Sequence, residues 1–446
     1  MIYGLFEKFK IDFGGLDMNI WKKAFLSSLV GVSLLTTACS TQKQASVKQE
    51  SNIPKVTKKT TVVFWHGMSG VQGATLKKLT DEFEKKNPNI KIKLEYQGSY
   101  INLQAKLNST MQSPNNLPTI TQSYPGWLYS AAKNKMLVDL KPYIADKNVG
   151  WNGKDSDINA SLLNGAKING VQYGIPFNKS VEALTYNADM LKKYNVKVPK
   201  TMAELKAASK KIYEKSHHKV VGAGFDVMSN YYLLGLKDQG INFSNKVKFD
   251  SKASKNVINY YAEGVKEGYF RTAGSEHYLS GPLANEKVAM YIGTSAGEGF
   301  VKKAINGKFK YGVAARPSKY NMQQGTDIYM FSKASAMQKA AAFKYMKFLV
   351  SKSSQLTWAN ATGYVPVNKQ VLMDKKYINN PNMKTPAILK IAMQHLYSVP
   401  VEKNSNAAYI QAGSNLENIL IAAGKKQNYS GLIKQGQIKL ENAWKQ

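Results

Sequence analysis

TTVVFWHGMSGVQGATLKKLTDEFEKKNPNIKIKLEYQG, Thr60 to Gly98, is the stretch whose pattern decides the fold. The apolar run TTVVFWH reads as a strand, and a bend follows at three glycines spaced by three, Gly67, Gly70 and Gly73. ATLKKLTDEFEKKNP then sets Leu76, Leu79 and Phe83 on one helical face, and Asn87-Pro88 ends it. IKIKLEYQG alternates with period two, a strand with one wet face. Strand, helix, strand in this order requires a crossover, so a mostly parallel sheet wrapped by helices is expected.

The alternation continues. INLQAKLNSTMQ is helical, LPTITQSY a short strand, and WLYSAAKNKMLVDLKPYI a helix running to Pro142. Later strands are expected at VQYGIPF, EALTYN, KVVGAGF, KVAMYIG and KYGVAARP. Longer helices are expected at AELKAASKKIYEK, KNVINYYAEGVKEG, AMQKAAAFKYMKFLV and GSNLENILIAAGKK. No internal repeat interrupts the pattern. The chain reads as an α/β protein of two lobes, with its ligand outside the carboxyl ends of the strands.

A chain of 446 residues has room for two or three domains. Its net charge is +33, and only two of its 62 basic residues are arginine, Arg271 and Arg316. Nucleic-acid readers lean on arginine for bidentate and stacking contacts, so this balance argues against nucleic acid. A lysine-covered surface suits an anionic cell wall or membrane better. The segment MNIWKKAFLSSLVGVSLLTTACSTQKQ has Lys22 and Lys23, an apolar core from Ala24 to Leu35, then Thr36-Thr37-Ala38-Cys39. That is a signal peptide, too short in its apolar core to span a membrane. The lone cysteine after small residues resembles the lipobox of bacterial lipoproteins, which implies lipidation at Cys39. Glu7, Asp12 and Asp17 do not suit the front of a signal peptide, so Met18 is the expected start. Residues 1–39 are thus leader and signal peptide, and residues 40–59, rich in Ser, Thr, Gln and Lys, a flexible tether.

No catalytic set emerges. The three glycines lack the Gly-Lys-Ser/Thr of a P-loop and the spacing of a dinucleotide fingerprint. The helix amides after them could still meet an anion. His66, His217, His218, His277 and His395 show no metal-ligand spacing, and one cysteine makes no zinc set. No GxSxG elbow is present. Glu182, Asp226 and Asp327 are the carboxylates placed for a glycosidase pair, without supporting spacing. Aromatics are plentiful, among them Trp65, Trp127, Tyr232, Trp358 and Tyr409, and several fall at expected element ends, where binding residues gather.

Together the leader, the tether and the motifs FWHGMSG, DEFEKKNPNIKI, YQGSY, PFNKSVEALTYN, VAMYIGTSAG, TGYVPVN and a terminal GKK helix resemble the family 1 extracellular solute-binding proteins of ABC importers. The glycerol-3-phosphate-binding branch is the nearest, and the resemblance runs from Thr60 to the end. It implies a periplasmic-binding-protein-like (class II) fold of mixed, mostly parallel sheets with hinge crossings at PFNKSVEALTYN and VAMYIGTS. Lobe 1 would take 60–178 plus 290–330, and lobe 2 would take 179–289 plus 331–446. The implied contacts are Tyr100 of GSY, Ser180 after PFN, Thr294 and Ser295 after the second crossing, Gly325 and Tyr364 of TGY. His66 would stand at the mouth of the first strand, with Trp127 and Tyr231 where the family places stacking aromatics. The acidic residue of the branch aligns with Pro125, and its phosphate-holding arginine with Gln411. Glutamine does not replace a charged bidentate fork. The ligand therefore stays open between glycerol-3-phosphate, a glycerophosphodiester whose head group stacks on aromatics, and a neutral sugar. The expected protein is a monomeric, lipid-anchored receptor on the outer face of a Gram-positive membrane. It makes no bond, needs no cofactor, and delivers to ABC permease subunits. A secreted carbohydrate-active enzyme and a cationic adhesin for anionic wall polymers are the rival readings.

Overall fold

The computed structural model describes residues 53–154 and 156–445. The leader with Met18 and Cys39, and most of the tether, lie outside the described residues. The strands are β1 (Thr60–His66), β2 (Ile90–Tyr96), β3 (Ile120–Ser123), β4 (Lys167–Ile168), β5 (Val171–Gln172), β6 (Gly174–Asn187), β7 (Val221–Phe225), β8 (Phe270–Thr272), β9 (Val288–Thr294), β10 (Tyr311–Ala315), β11 (Asn321–Met330) and β12 (Leu396–Tyr397). The helices that frame the site are α1 (Gly70–Lys86), α2 (Tyr100–Thr110), α3 (Met228–Asp238), α4 (Glu298–Ile305), α5 (Ala336–Leu349), α6 (Lys352–Thr362) and α7 (Ser405–Gly424).

The opening unit forms as its pattern dictates. β1 and β2 pair in parallel from Thr60 against Ile90 to His66 against Tyr96. α1 buries Leu76, Leu79 and Phe83 against the sheet, each such side chain contributing about 1.5–3 kcal/mol. The helix begins earlier than ATLKK: Gly70 opens it with φ of 53°, and the Gly73 amide already donates to the Ser69 carbonyl at 3.1 Å. Two of the three glycines are therefore helical.

A mixed sheet runs in the order β2-β1-β3-β11-β6-β9-β7-β8, with β10 beside β6 and β12 beside β11. Its two ends are parallel and its middle is antiparallel. VQYGIPF and EALTYN, expected as separate strands, largely fuse into β6. Gly174 to Val181 of β6 pair with β11, while Glu182 to Asn187 pair with β9 and β10. The same strand thus belongs to both lobes. The second element that ties the halves is β11, which pairs with β6, β3 and β12 and bulges between Thr326 and Asp327. VAMYIGTS, expected as the second crossing, forms β9 and pairs with β6 and β7.

Two large apolar cores flank the crossing. The first joins Val62, Phe64 and Leu76 to Ala340–Leu349 of α5 and to Trp358 and Tyr364. The second joins Leu184, Phe225, Tyr231, Tyr232 and Ile292 to Leu416 of α7. The cores divide the chain differently from the expected bounds. Met290 and Ile292 pack in the second core rather than the first, and α5 in the first rather than the second. No described helix is long and apolar enough to cross a membrane.

Candidate functional site

Tyrosines converge where the strands of the first core end. Ser99 caps α2 by accepting from the Asn102 amide at 3.3 Å, which fixes Tyr100 as the first helical residue. The Tyr100 hydroxyl accepts from Asn178 Nδ2 at 2.9 Å and lies 3.4 Å from the Tyr364 hydroxyl. Asn178 is held in turn: its Oδ1 accepts from Gln122 at 3.1 Å and from Thr326 at 2.7 Å. Gln122 Oε1 accepts from the Gly67 amide at 3.0 Å, so the glycine bend after β1 is tied to this network. The Tyr100 ring meets Tyr124 and Trp127 edge-on, with centroids 5.9 and 6.2 Å apart. Tyr364 stacks on buried Trp358 at 5.6 Å.

The far side of the cluster comes from the second half. Tyr278 and Tyr409 stand close enough to act electrostatically on the Tyr124 hydroxyl. Tyr278 is 57% exposed and marks the rim, while Tyr409 projects from α7. Gly126 lies beside Asn406 of the same helix. Burial raises the hydroxyls of Tyr100 and Tyr124 well above their ordinary pKa, and that of Tyr364 to about 12. All three are neutral donors and acceptors at any physiological pH.

Of the ten residues expected to bind ligand, Tyr100, Trp127, Gly325 and Tyr364 gather here. Gly325 has φ of 86°, and its backbone reaches the Tyr124 hydroxyl. A Cβ there would collide with the Asn178 carbonyl, so only glycine fits. Ser180, Thr294 and Ser295 sit at the crossing. Ser180 and Ser295 are buried, and Ser295 Oγ accepts from the Val181 amide at 3.4 Å. Three others are turned to structural work. His66 is buried, its Nδ1 accepts from the Met68 amide at 3.2 Å, and burial lowers its pKa to about 4, so it is neutral. Tyr231 lies in the second core, fully buried, and donates to the Ile292 carbonyl at 2.7 Å. Gln411 donates to Asn415 one turn along its own helix at 2.8 Å. The Tyr231 departure has a readable cause: YYLL, Tyr231 to Leu234, is continuously apolar, the mark of a helix buried on more than one face. Tyr124, Tyr278 and Asn178 were not singled out in the sequence. Tyr124 follows a strand end directly, which is the signal that could have found it.

The charged groups near the crossing are already engaged. Lys179 pairs with Asp327 at 2.5 Å with both side chains buried. Arg316 pairs with Asp238 at 3.3 Å, and Arg271 with Glu276. Glu182 accepts from Asn230 and Gln324, and Asp226 from the Leu279 amide. Among the described residues no group of His, Cys, Asp and Glu is arranged to hold a metal ion.

A family model described as bacterial extracellular solute-binding protein matches residues 78–385. The sn-glycerol-3-phosphate-binding periplasmic protein UgpB of Pectobacterium atrosepticum is 24% identical over 333 residues, 69% of this chain and 73% of that protein. Two solved structures share the fold. An ABC substrate-binding protein of Listeria monocytogenes in complex with cycloalternan superposes with a TM-score of 0.75 at 20% identity, covering 86% of this chain and 99% of that one. UgpB of Mycobacterium tuberculosis in complex with glycerophosphocholine superposes at 0.73 and 17% identity, with the same coverage. These relatives are binding proteins, not enzymes.

Proposed function

The chain belongs to the bacterial extracellular solute-binding proteins, the receptors of ABC importers, and on that premise we propose that it captures a glycerol phosphate compound between its lobes. Within that class the reading favours a glycerophosphodiester over free glycerol-3-phosphate. The observation that carries it is the tyrosine cluster drawn from both sides of the crossing, Tyr100, Tyr124 and Tyr364 facing Tyr278 and Tyr409. Neutral hydroxyls and ring faces suit a polyol, a singly charged phosphodiester and a cationic head group. A dianionic phosphomonoester calls for a charged fork. Both arginines are already paired with carboxylates, and Gln411 stands where the branch carries its arginine. The similarity to proteins named for sn-glycerol-3-phosphate and solved with glycerophosphocholine supports the same class.

A second reading, a neutral oligosaccharide, draws on the same ring faces and on neighbours solved with cycloalternan and maltose. Ligand closure would swing the two cores about β6 and β11. Lipidation at Cys39, anchoring to a Gram-positive membrane and contact of the lysine-rich surface with anionic wall polymers complete the proposal.

Thermal unfolding with glycerophosphocholine, sn-glycerol-3-phosphate and maltotriose separates the readings. A ligand at 100 times its Kd stabilises by about 2.7 kcal/mol. The expected order is glycerophosphocholine first. A shift with maltotriose alone moves the assignment to carbohydrate, and a larger shift with the phosphomonoester overturns the preference for the diester.

A further inference from the structure

Tyr409 stands in the cluster, but its hydrogen bond leads away from it. The hydroxyl donates to Asn230 Oδ1 at 2.6 Å. Asn230 Nδ2 donates to Glu182 Oε1 at 2.6 Å, and the same oxygen accepts from Gln324 at 2.7 Å. The Tyr231 hydroxyl, which donates to the Ile292 carbonyl at 2.7 Å, shares that proton weakly with Glu182 Oε2 at 3.3 Å. Glu182 itself has no exposed surface and sits on β6 at the point where the strand changes partners.

From this chain of contacts we propose that Glu182 is a positioning residue for the ligand: through the Asn230 amide it decides whether Tyr409 offers an acceptor or a donor. An ionised carboxylate only accepts. The Asn230 amide hydrogens then face it, the Asn230 oxygen takes the Tyr409 proton, and Tyr409 turns lone pairs to the cluster. When the carboxyl takes one proton from solvent, its new O–H needs an acceptor. The Asn230 amide turns over to supply its oxygen, its nitrogen donates to Tyr409, and the Tyr409 proton is released toward the ligand. A phosphate oxygen is favoured in the second state and a ligand hydroxyl in the first.

The surroundings place this proton within reach of physiological pH. Burial pushes Glu182 up to about 7, opposed by Asn230, Arg316, Tyr231 and Gln324. Asp226 faces it from the end of β7, its own carboxyl raised well above the usual range by burial. Tyr261, Tyr291 and Tyr409 face it from three further elements, their hydroxyls raised by burial and therefore uncharged.

The inference rests on the cluster being the ligand site, so its test has an arm without ligand. The Asn230 side-chain amide is followed by nitrogen-15 NMR from pH 6 to 8.5 in the ligand-free protein. It shifts through one transition in the wild type and stays flat in Glu182→Gln. Glycerophosphocholine, whose phosphodiester does not titrate in this range, is then measured by calorimetry. Wild-type affinity is expected to be roughly tenfold higher at pH 6 than at pH 8, and flat in both Glu182→Gln and Tyr409→Phe. If Glu182→Gln fails to fold, Tyr409→Phe carries the binding arm. A pH-dependence that survives in either variant, or a wild-type Asn230 amide that does not move, overturns the proposal. Absence of glycerophosphocholine binding sinks the ligand reading alone, and the amide titration still decides the relay.

Discussion

Lys179 and Glu182 lie three residues apart on β6, on opposite faces of the strand, and both are buried. Lys179 is answered by a charge: Asp327 at 2.5 Å, with the Gly325 carbonyl at 3.2 Å and the Tyr329 hydroxyl on the other Asp327 oxygen. Glu182 is answered by neutral dipoles, from Asn230, Gln324 and Tyr231. The opposite charge works against the burial that raises the Asp327 carboxyl, and the pair pins the register of β6 on β11. Neutral donors hold the geometry but leave the proton affinity open. The first arrangement pins two strands through a buried ion pair, and the second leaves a lone carboxyl raised to about 7.

The largest expected effect tests the pin. Asp327→Ala leaves a buried ammonium without its partner and should cost about 3–5 kcal/mol in denaturant unfolding. The pair replacement Lys179→Met with Asp327→Leu should cost clearly less, because no charge is stranded. Equal losses would mean that the pair acts through packing alone.

Glu182→Gln tests the other side. The folded pKa of about 7 lies above the unfolded value of 4.5. Its contribution is therefore full below pH 4.5 and lost as pH rises through 7, a fall on the order of 3 kcal/mol. Glu182→Gln should remove that decline from the stability profile. A variant profile parallel to wild type would end the contrast with Lys179.

His66 supplies a control of opposite sign. Its pKa falls from 6.5 to about 4 in the fold, so its contribution is present above 6.5 and lost as pH falls through 4. His66→Asn keeps an acceptor for the Met68 amide and should flatten the acid limb by on the order of 3 kcal/mol. An acid limb unchanged in this variant would place the loss on other groups. Smallest of the four, Asn230→Ala removes one donor from Glu182 at a cost of roughly 1–3 kcal/mol. It should move the midpoint of the Glu182 decline to higher pH, and a downward move would contradict the assigned direction of that hydrogen bond.

Which parts were legible follows from how each residue is stabilised. α1 and β2 were readable because burial follows the period of each element, and β1 because its apolar run ends at a glycine bend. β11 was not, because its stretch QQGTD, Gln323 to Asp327, reads as a polar turn. Its ladder partners β3 and β6 and the Lys179–Asp327 pair satisfy those groups, and none of them is adjacent in sequence. Tyr100 and Tyr364 were placed by short motifs that fix local backbone. Tyr231 was misplaced because aromatic content does not say which way a ring points. Asn178 escaped because its partners Gln122 and Tyr100 are 56 and 78 residues away, and Tyr124 because part of its setting comes from Tyr278 and Tyr409, far along the chain.

β6 has one more consequence, for the lifetime of the protein outside the cell. Its first half is covered by β11 and by the bridge from Lys179 to Val365, its second half by β9 and β10. Under the proposed closure about β6, an interior strand would keep its ladder occupied, and opening would free no sheet edge to recruit a neighbouring chain.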